Sequence, residues 1–132
     1  MYQVRRVLGL LSLRRHSGGV SGMANKGIMY IDGQRVPFDG EPNVLSVIRK
    51  AGIEMPTFCY YSDLSVYGAC RMCVVEVKGA RSLVTACVYP CDRDGMEIYT
   101  DSPLVQESRR TTLELMLSNH NRSCLSCVRS GN

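Results

Sequence analysis

The residues best suited to chemistry in this chain are cysteines, and their spacing is specific: Cys59, ten residues, Cys70-Arg71-Met72-Cys73, thirteen residues, Cys87. Four thiolates distributed in this way can close on one small inorganic centre, and a 2Fe-2S cluster takes four Cys ligands. Gly68 and Ala69, just before the close pair, are small enough to let backbone amides approach the sulfurs. The bland alternative is that these are free cysteines packed as small hydrophobes. Four in this arrangement favour ligation. A sharper rival is zinc, because Cys70-x2-Cys73, thirteen residues, Cys87-x3-Cys91 also makes a four-cysteine set, which would stabilise an interaction module without a redox role. Zinc needs Cys91 in place of Cys59, whereas iron needs Cys59 and leaves Cys91 as a spare thiol.

A second donor set closes the sequence: His120, three residues, Cys124, two residues, Cys127. If the turn stayed helical, the i, i+4, i+7 spacing would put all three on one face. A lone His after a helix is commonly solvated or capping, and a CxxC pair is redox-active or structural in other settings. No Ser/His/Asp set, no glycine-rich phosphate loop with a Lys and no paired carboxylates occur at recognisable spacing, so no catalytic residue and no substrate turnover are expected.

The elements that must position these donors read as follows. Ile28 to Ile31, Asp32-Gly33 and Gln34 to Phe38 form a β-hairpin whose Asp-Gly suits a type I′ turn, with Pro37 ending the pairing. Asn43 is the expected N-cap of a short helix that buries Val44, Leu45, Val47 and Ile48 and stops at Gly52. The loop from Pro56 to Gly68 carries Phe58, Tyr60, Tyr61 and Tyr67 around Cys59, packed about the loop, and its length suits wrapping a cofactor. Val74 to Val77 is a strand, and the return from Ser82 to Ala86 brings Cys87 to the same end as Cys73. After the Asp94-Gly95 turn, Met96 to Tyr99 is a last strand. Ser102-Pro103 opens a second helix whose buried stripe includes Leu104, Ser108, Leu115 and Met116. The fold class is α+β.

At 132 residues the chain holds one domain, or one with an appendage. Of its sixteen Lys and Arg, five lie in residues 1–31, which contain no acid, so the rest is nearly neutral despite a net charge of +4. No basic stripe with interleaved aromatics supports nucleic-acid binding. Val7 to Leu13 is closed by Arg14-Arg15 and is too short to span a membrane. Residues 1–26 read as a disordered tail, with an organelle-targeting presequence over residues 1–22 as the alternative. Seven cysteines, an odd number, with two CxxC pairs point to metal binding in a reducing compartment, hence to the cytoplasm, or to a mitochondrion-like or hydrogenosomal matrix if the presequence is real.

The four-cysteine pattern is a relative of the plant-type ferredoxin spacing. Taken with Gly68-Ala69-Cys70-Arg71-Met72-Cys73 and with His120-Asn121-Arg122-Ser123-Cys124-Leu125-Ser126-Cys127-Val128-Arg129-Ser130, residues 27–132 resemble the N-terminal region of FeFe-hydrogenases. They are also similar to the large iron-sulfur subunit of respiratory complex I and to some NAD-linked formate dehydrogenases, and the Cys-Val-Arg-Ser ending leans toward the hydrogenase branch. The resemblance implies a β-grasp, ferredoxin-like 2Fe-2S domain over residues 27–100, with Cys59, Cys70, Cys73 and Cys87 as ligands. It implies a helical segment over residues 101–132, in which His120, Cys124 and Cys127 are three of four ligands to a 4Fe-4S cluster. In the family the last Cys follows five residues after the CxxC pair; here those five are Val128 to Asn132, where the sequence stops. The expectation is therefore a fragment or truncated frame of a longer enzyme, with one robust cluster and one labile, incomplete one. Its role would be one-electron relay at low potential between a flavin- or NADH-oxidising subunit, or a soluble ferredoxin, and a hydrogenase catalytic domain.

Overall fold

A computed structural model describes residues 26–131. The tail and presequence readings fall outside these residues, except that Lys26, placed with the tail, is the first residue of a strand. Strands β1 (Lys26–Ile31) and β2 (Gln34–Asp39) form the expected hairpin, and Asp32 (φ 49°) and Gly33 (φ 81°) both take the left-handed conformation that a type I′ turn requires. Pairing does not end at Pro37, which sits opposite Ile28 in register. β2 is an edge strand of the sheet, so a residue without an N–H is tolerated there.

Helix α1 (Val44–Lys50) is capped as its sequence requires: Asn43 Oδ1 accepts from Ser46 N at 3.0 Å, and Gly52 takes φ 78° just past the helix end. It buries Val44, Leu45, Val47 and Ile48. Three further strands follow: β3 (Val74–Val77), β4 (Val84–Thr85) and β5 (Met96–Tyr99). The order β2-β1-β5-β3-β4 makes one mixed sheet in which β5 pairs in parallel with β1 and antiparallel with β3. A parallel neighbour needs a long crossover, and here that crossover contains α1, the long loop and the β3–β4 hairpin. Asp32 ties the centre of this arrangement together: its N–H donates to Ile98 O (2.9 Å), and its carboxylate accepts from Thr100 N (2.8 Å) and Thr100 Oγ1 (2.6 Å).

The core lies between the sheet and α1, where Met29, Ile31, Leu45, Ile48, Val75 and Ile98 are fully buried together with Cys73 and Cys87. Each buried aliphatic side chain contributes about 1.5–3 kcal/mol relative to exposure.

The last helix, α2 (Pro103–Ser118), starts at the expected cap, with Ser102 Oγ accepting from Val105 N. Its packing differs from the expected stripe. Val105 is the buried residue of α2, and the half-buried Ser108, Arg109 and Thr112 continue that face. Leu104 and Leu115 are 58% and 69% exposed, and Met116 is on the exposed side as well. The helix docks through a polar group, which apolar periodicity cannot reveal.

Candidate metal centre

Cys59 lies in a stretch from Gly52 to Met72 that has no strand or helix. That stretch is held from α1, where Arg49 donates to Thr57 Oγ1 (3.0 Å) and its guanidinium carbon stands 5.2 Å from the centre of the Tyr60 ring. Tyr60 packs against the core, but Phe58, Tyr61 and Tyr67 are exposed, contrary to the expectation that these aromatics pack around the loop. Between Cys70 and Cys73, Arg71 is exposed and held at φ 58°, just before a turn at Met72 and Cys73. A non-glycine residue in that conformation stores of order 1–3 kcal/mol of strain, a feature that concentrates at functional loops.

Cys73 directly precedes β3 and Cys87 directly follows the β4 return, and Ala86 N donates to Cys73 O at 2.9 Å, so the hairpin delivers the two cysteines together as expected. The Cys87 segment is fixed from the other side by α1. The first amides of that helix, which have no partner within it, donate to this segment: Val44 N to Tyr89 O (2.9 Å) and Leu45 N to Ala86 O (3.0 Å).

Cys70 N donates to Cys59 Sγ at 3.4 Å, and both of these residues are half-buried. Cys73 and Cys87 are buried. Burial, then the Cys73 thiol and the charges of Cys73, Cys59 and Cys70, push the Cys87 thiol up to about 12. Burial acts in the same direction on Cys70, but backbone hydrogen bonds from Met72 and Phe58, together with Cys59, outweigh it and lower its pKa. The surroundings therefore oppose four thiolates standing free together while offering donors to individual sulfurs, which suits a shared cationic centre. Among the described residues no three Cys, His, Asp or Glu side chains close on a single ion.

The amide that hydrogen-bonds a cysteine sulfur is that of Cys70. Gly68 takes φ 63°, and a side chain there would approach Val88 Cγ1 to 3.1 Å. Cys91 is buried in the same apolar cluster as Cys73 and Cys87, and burial followed by the carboxylates of Glu41 and Asp92 raises its thiol to about 11.

The second donor set is arranged differently. α2 ends at Ser118, and Cys124–Ser126 is a separate 3-10 turn, so His120, Cys124 and Cys127 do not continue one helical face. All three are exposed. Arg129 N lies 3.5 Å from Cys127 Sγ as a weak donor.

Arg109 was not legible from the sequence as part of this region. Its Nε donates to Met72 O (3.1 Å), and its Nη2 donates to Val74 O (2.9 Å) and contacts Met55 Sδ (3.0 Å), which ties α2 to the backbone on both sides of Cys73.

A mixed sheet that presents four cysteines from its loops, with an amide aimed at one of their sulfurs, is suited to a thiolate-bound metal centre. Comparison with known proteins agrees. Residues 28–103 match the 2Fe-2S iron-sulfur cluster binding domain, and the chain belongs to that family. Residues 109–132 match the NADH-ubiquinone oxidoreductase-G iron-sulfur binding region. The chain is 39% identical over 103 residues to the NADH-ubiquinone oxidoreductase 75 kDa subunit of Reclinomonas americana, and 38% identical over 103 residues to NADH dehydrogenase [ubiquinone] iron-sulfur protein 1, mitochondrial, of Solanum tuberosum. Each match covers 78% of this chain but only 15% and 14% of those proteins, respectively. The crystal structure of NAD+-reducing [NiFe]-hydrogenase in the H2-reduced state is similar with a TM-score of 0.68 and 29% identity, over 76% of this chain and 42% of that one. The chain is thus an iron-sulfur electron-transfer domain, related to iron-sulfur subunits of complex I and of hydrogenases, with 2Fe-2S and 4Fe-4S binding regions. It corresponds to a small iron-sulfur portion of those larger oxidoreductases. No described helix is long and apolar enough to cross a membrane.

Proposed function

We propose that Cys59, Cys70, Cys73 and Cys87 hold a 2Fe-2S cluster and that the chain relays single electrons through it. The observation that carries this reading is the match of residues 28–103 to a 2Fe-2S binding domain, within which the β3–β4 hairpin brings Cys73 and Cys87 to one end and the Cys70 amide bonds Cys59 Sγ. When bound, the cluster supplies a one-electron couple which, with all-cysteine ligation, lies at roughly −400 mV. The protein's part is to hold the sulfurs and to direct donors at them: the Cys70 amide toward Cys59, and backbone donors of Met72 and Phe58 toward Cys70. Such hydrogen bonds stabilise added negative charge on sulfur. The match to a 2Fe-2S binding domain supports iron over the zinc reading.

Around this centre, residues 27–100 form the 2Fe-2S domain in our reading. Its hairpin, its helix packed on the sheet and its parallel β1–β5 pair support a β-grasp fold. Residues 101–132 form the segment that offers His120, Cys124 and Cys127 to a 4Fe-4S site. The redox partner is a flavin-bearing or NADH-oxidising subunit of a larger complex, supported by the names of the NADH-ubiquinone oxidoreductase and NADH dehydrogenase relatives. A second reading places the domain ahead of a hydrogenase catalytic unit, of the FeFe kind by its Cys127-Val128-Arg129-Ser130 ending; the similar solved structure is of a [NiFe]-hydrogenase, which supports a hydrogenase setting but not the FeFe kind. The compartment is a reducing one, cytoplasmic or a mitochondrion-like matrix; the potato relative is named mitochondrial.

The test is the iron, acid-labile sulfide and zinc content of protein prepared without oxygen, with visible absorption recorded before and after dithionite. About two tightly held irons and two sulfides per chain, with a bleachable brown colour, are expected. A colourless protein carrying one zinc would overturn the proposal.

A further inference from the structure

Arg109 stands between the two donor regions and touches the first. It follows the buried Val105 by one helical turn, and its guanidinium is half-buried against the loop that carries Cys70 and Cys73. The carbonyls of Met72 and Val74, which it grips at 3.1 and 2.9 Å, belong to the residues immediately before and after Cys73. A guanidinium is a rigid planar fork, so these two bonds fix the carbonyls of the residues before and after that cysteine relative to each other. The constraint acts where the loop is least able to hold itself, since Arg71 just upstream is in a strained left-handed conformation. The contact with Met55 Sδ at 3.0 Å closes the remaining side.

The same group is a fixed positive charge. Arg109 forms no ion pair among the described residues; the charges it feels are those of Asp101, Cys73 and Asp32. Reduction adds one negative charge to a cluster held by Cys73, and a partly desolvated cation beside that ligand favours the reduced form more than a solvated one would.

We propose that Arg109 is a positioning residue for the Cys73 end of the 2Fe-2S site. Its fork sets the Cys70–Cys73 loop, its charge raises the reduction potential, and α2 thereby joins the first donor set to the segment bearing His120, Cys124 and Cys127. The inference rests on the ligand assignment proposed above. The full chain is compared with its Arg109→Gln and Arg109→Lys variants, by iron and sulfide content, rate of iron loss to a chelator, and potentiometric titration followed by absorption. Arg109→Gln removes the charge and should lower the equilibrium constant for reduction by roughly threefold to tenfold, tenfold being 59 mV for one electron. Arg109→Lys keeps the charge but not the fork. It should hold the potential near that of the parent while losing iron several-fold faster. An unaltered potential in Arg109→Gln, or one as low in Arg109→Lys as in Arg109→Gln, overturns the proposal. Should Arg109→Gln assemble no cluster, Arg109→Lys decides: faster iron loss at a parent-like potential supports the role, and iron retention equal to the parent overturns it. A parent chain without labile sulfide would instead remove the ligand assignment itself, which keeps the two failures distinct.

Discussion

Two sets of soft metal donors occur in this chain, and they sit in opposite surroundings. Cys73 and Cys87 are buried between the sheet and α1, with Cys59 and Cys70 half-covered beside them, and backbone donors are already directed at sulfur. His120, Cys124 and Cys127 lie on an exposed turn beyond the end of α2. Donor type and spacing name both sets equally well. Only the first is set against the packed core, so metal binding there would need less ordering of the chain.

Substitution of one ligand from each set should produce the largest contrast. Cys70→Ser is expected to remove nearly all firmly bound iron and the visible absorption, whereas Cys127→Ser should leave about two irons and their spectrum intact. Loss of the visible bands in Cys127→Ser would break the comparison, because it would make the exposed set necessary to the buried one.

The same contrast should appear in stability. Ile48 is fully buried and Leu115 is 69% exposed. Denaturant titration should show a loss of about 2–5 kcal/mol for Ile48→Ala and a change within about 0.5 kcal/mol for Leu115→Ala. A large effect at Leu115 would mean that the distal half of α2 is packed in solution.

The helix caps should differ least. Asn43 accepts from the Ser46 amide at 3.0 Å and is buried, while Ser102 accepts from the Val105 amide at 3.4 Å. Asn43→Ala is expected to cost about 1 kcal/mol, a fall in Tm of roughly 4–8 °C for a domain of this size. Ser102→Ala should cost less, and thermal melts of the two variants side by side sharpen the ranking; equal losses would place the two helix starts on the same footing.

The features legible in the chain were those whose cause is local. Asp32-Gly33 dictates a hairpin because two adjacent residues must adopt positive φ. Asn43 and Gly52 bound a helix because orphaned amides and carbonyls are satisfied within a turn of them. The four cysteines announce a cluster because their chemistry lies in the side chains. The apolar pattern of α2 misled for the complementary reason: it reports hydrophobic periodicity, and this helix docks through one buried apolar residue, Val105, and through Arg109 on two backbone carbonyls.

Residue order alone therefore settled the donor types, the first hairpin, the caps and the strand that carries Cys73 toward Cys87. Folding settled that the Cys70 amide reaches Cys59, that α2 packs by Val105 and Arg109, and that His120 does not share a helical face with Cys124 and Cys127. These outcomes depend on polar contacts between residues remote in sequence, such as Arg109 with Met72 O and Leu45 N with Ala86 O. A backbone carbonyl is the same in every residue, so nothing in the order of side chains marks the one that will be used.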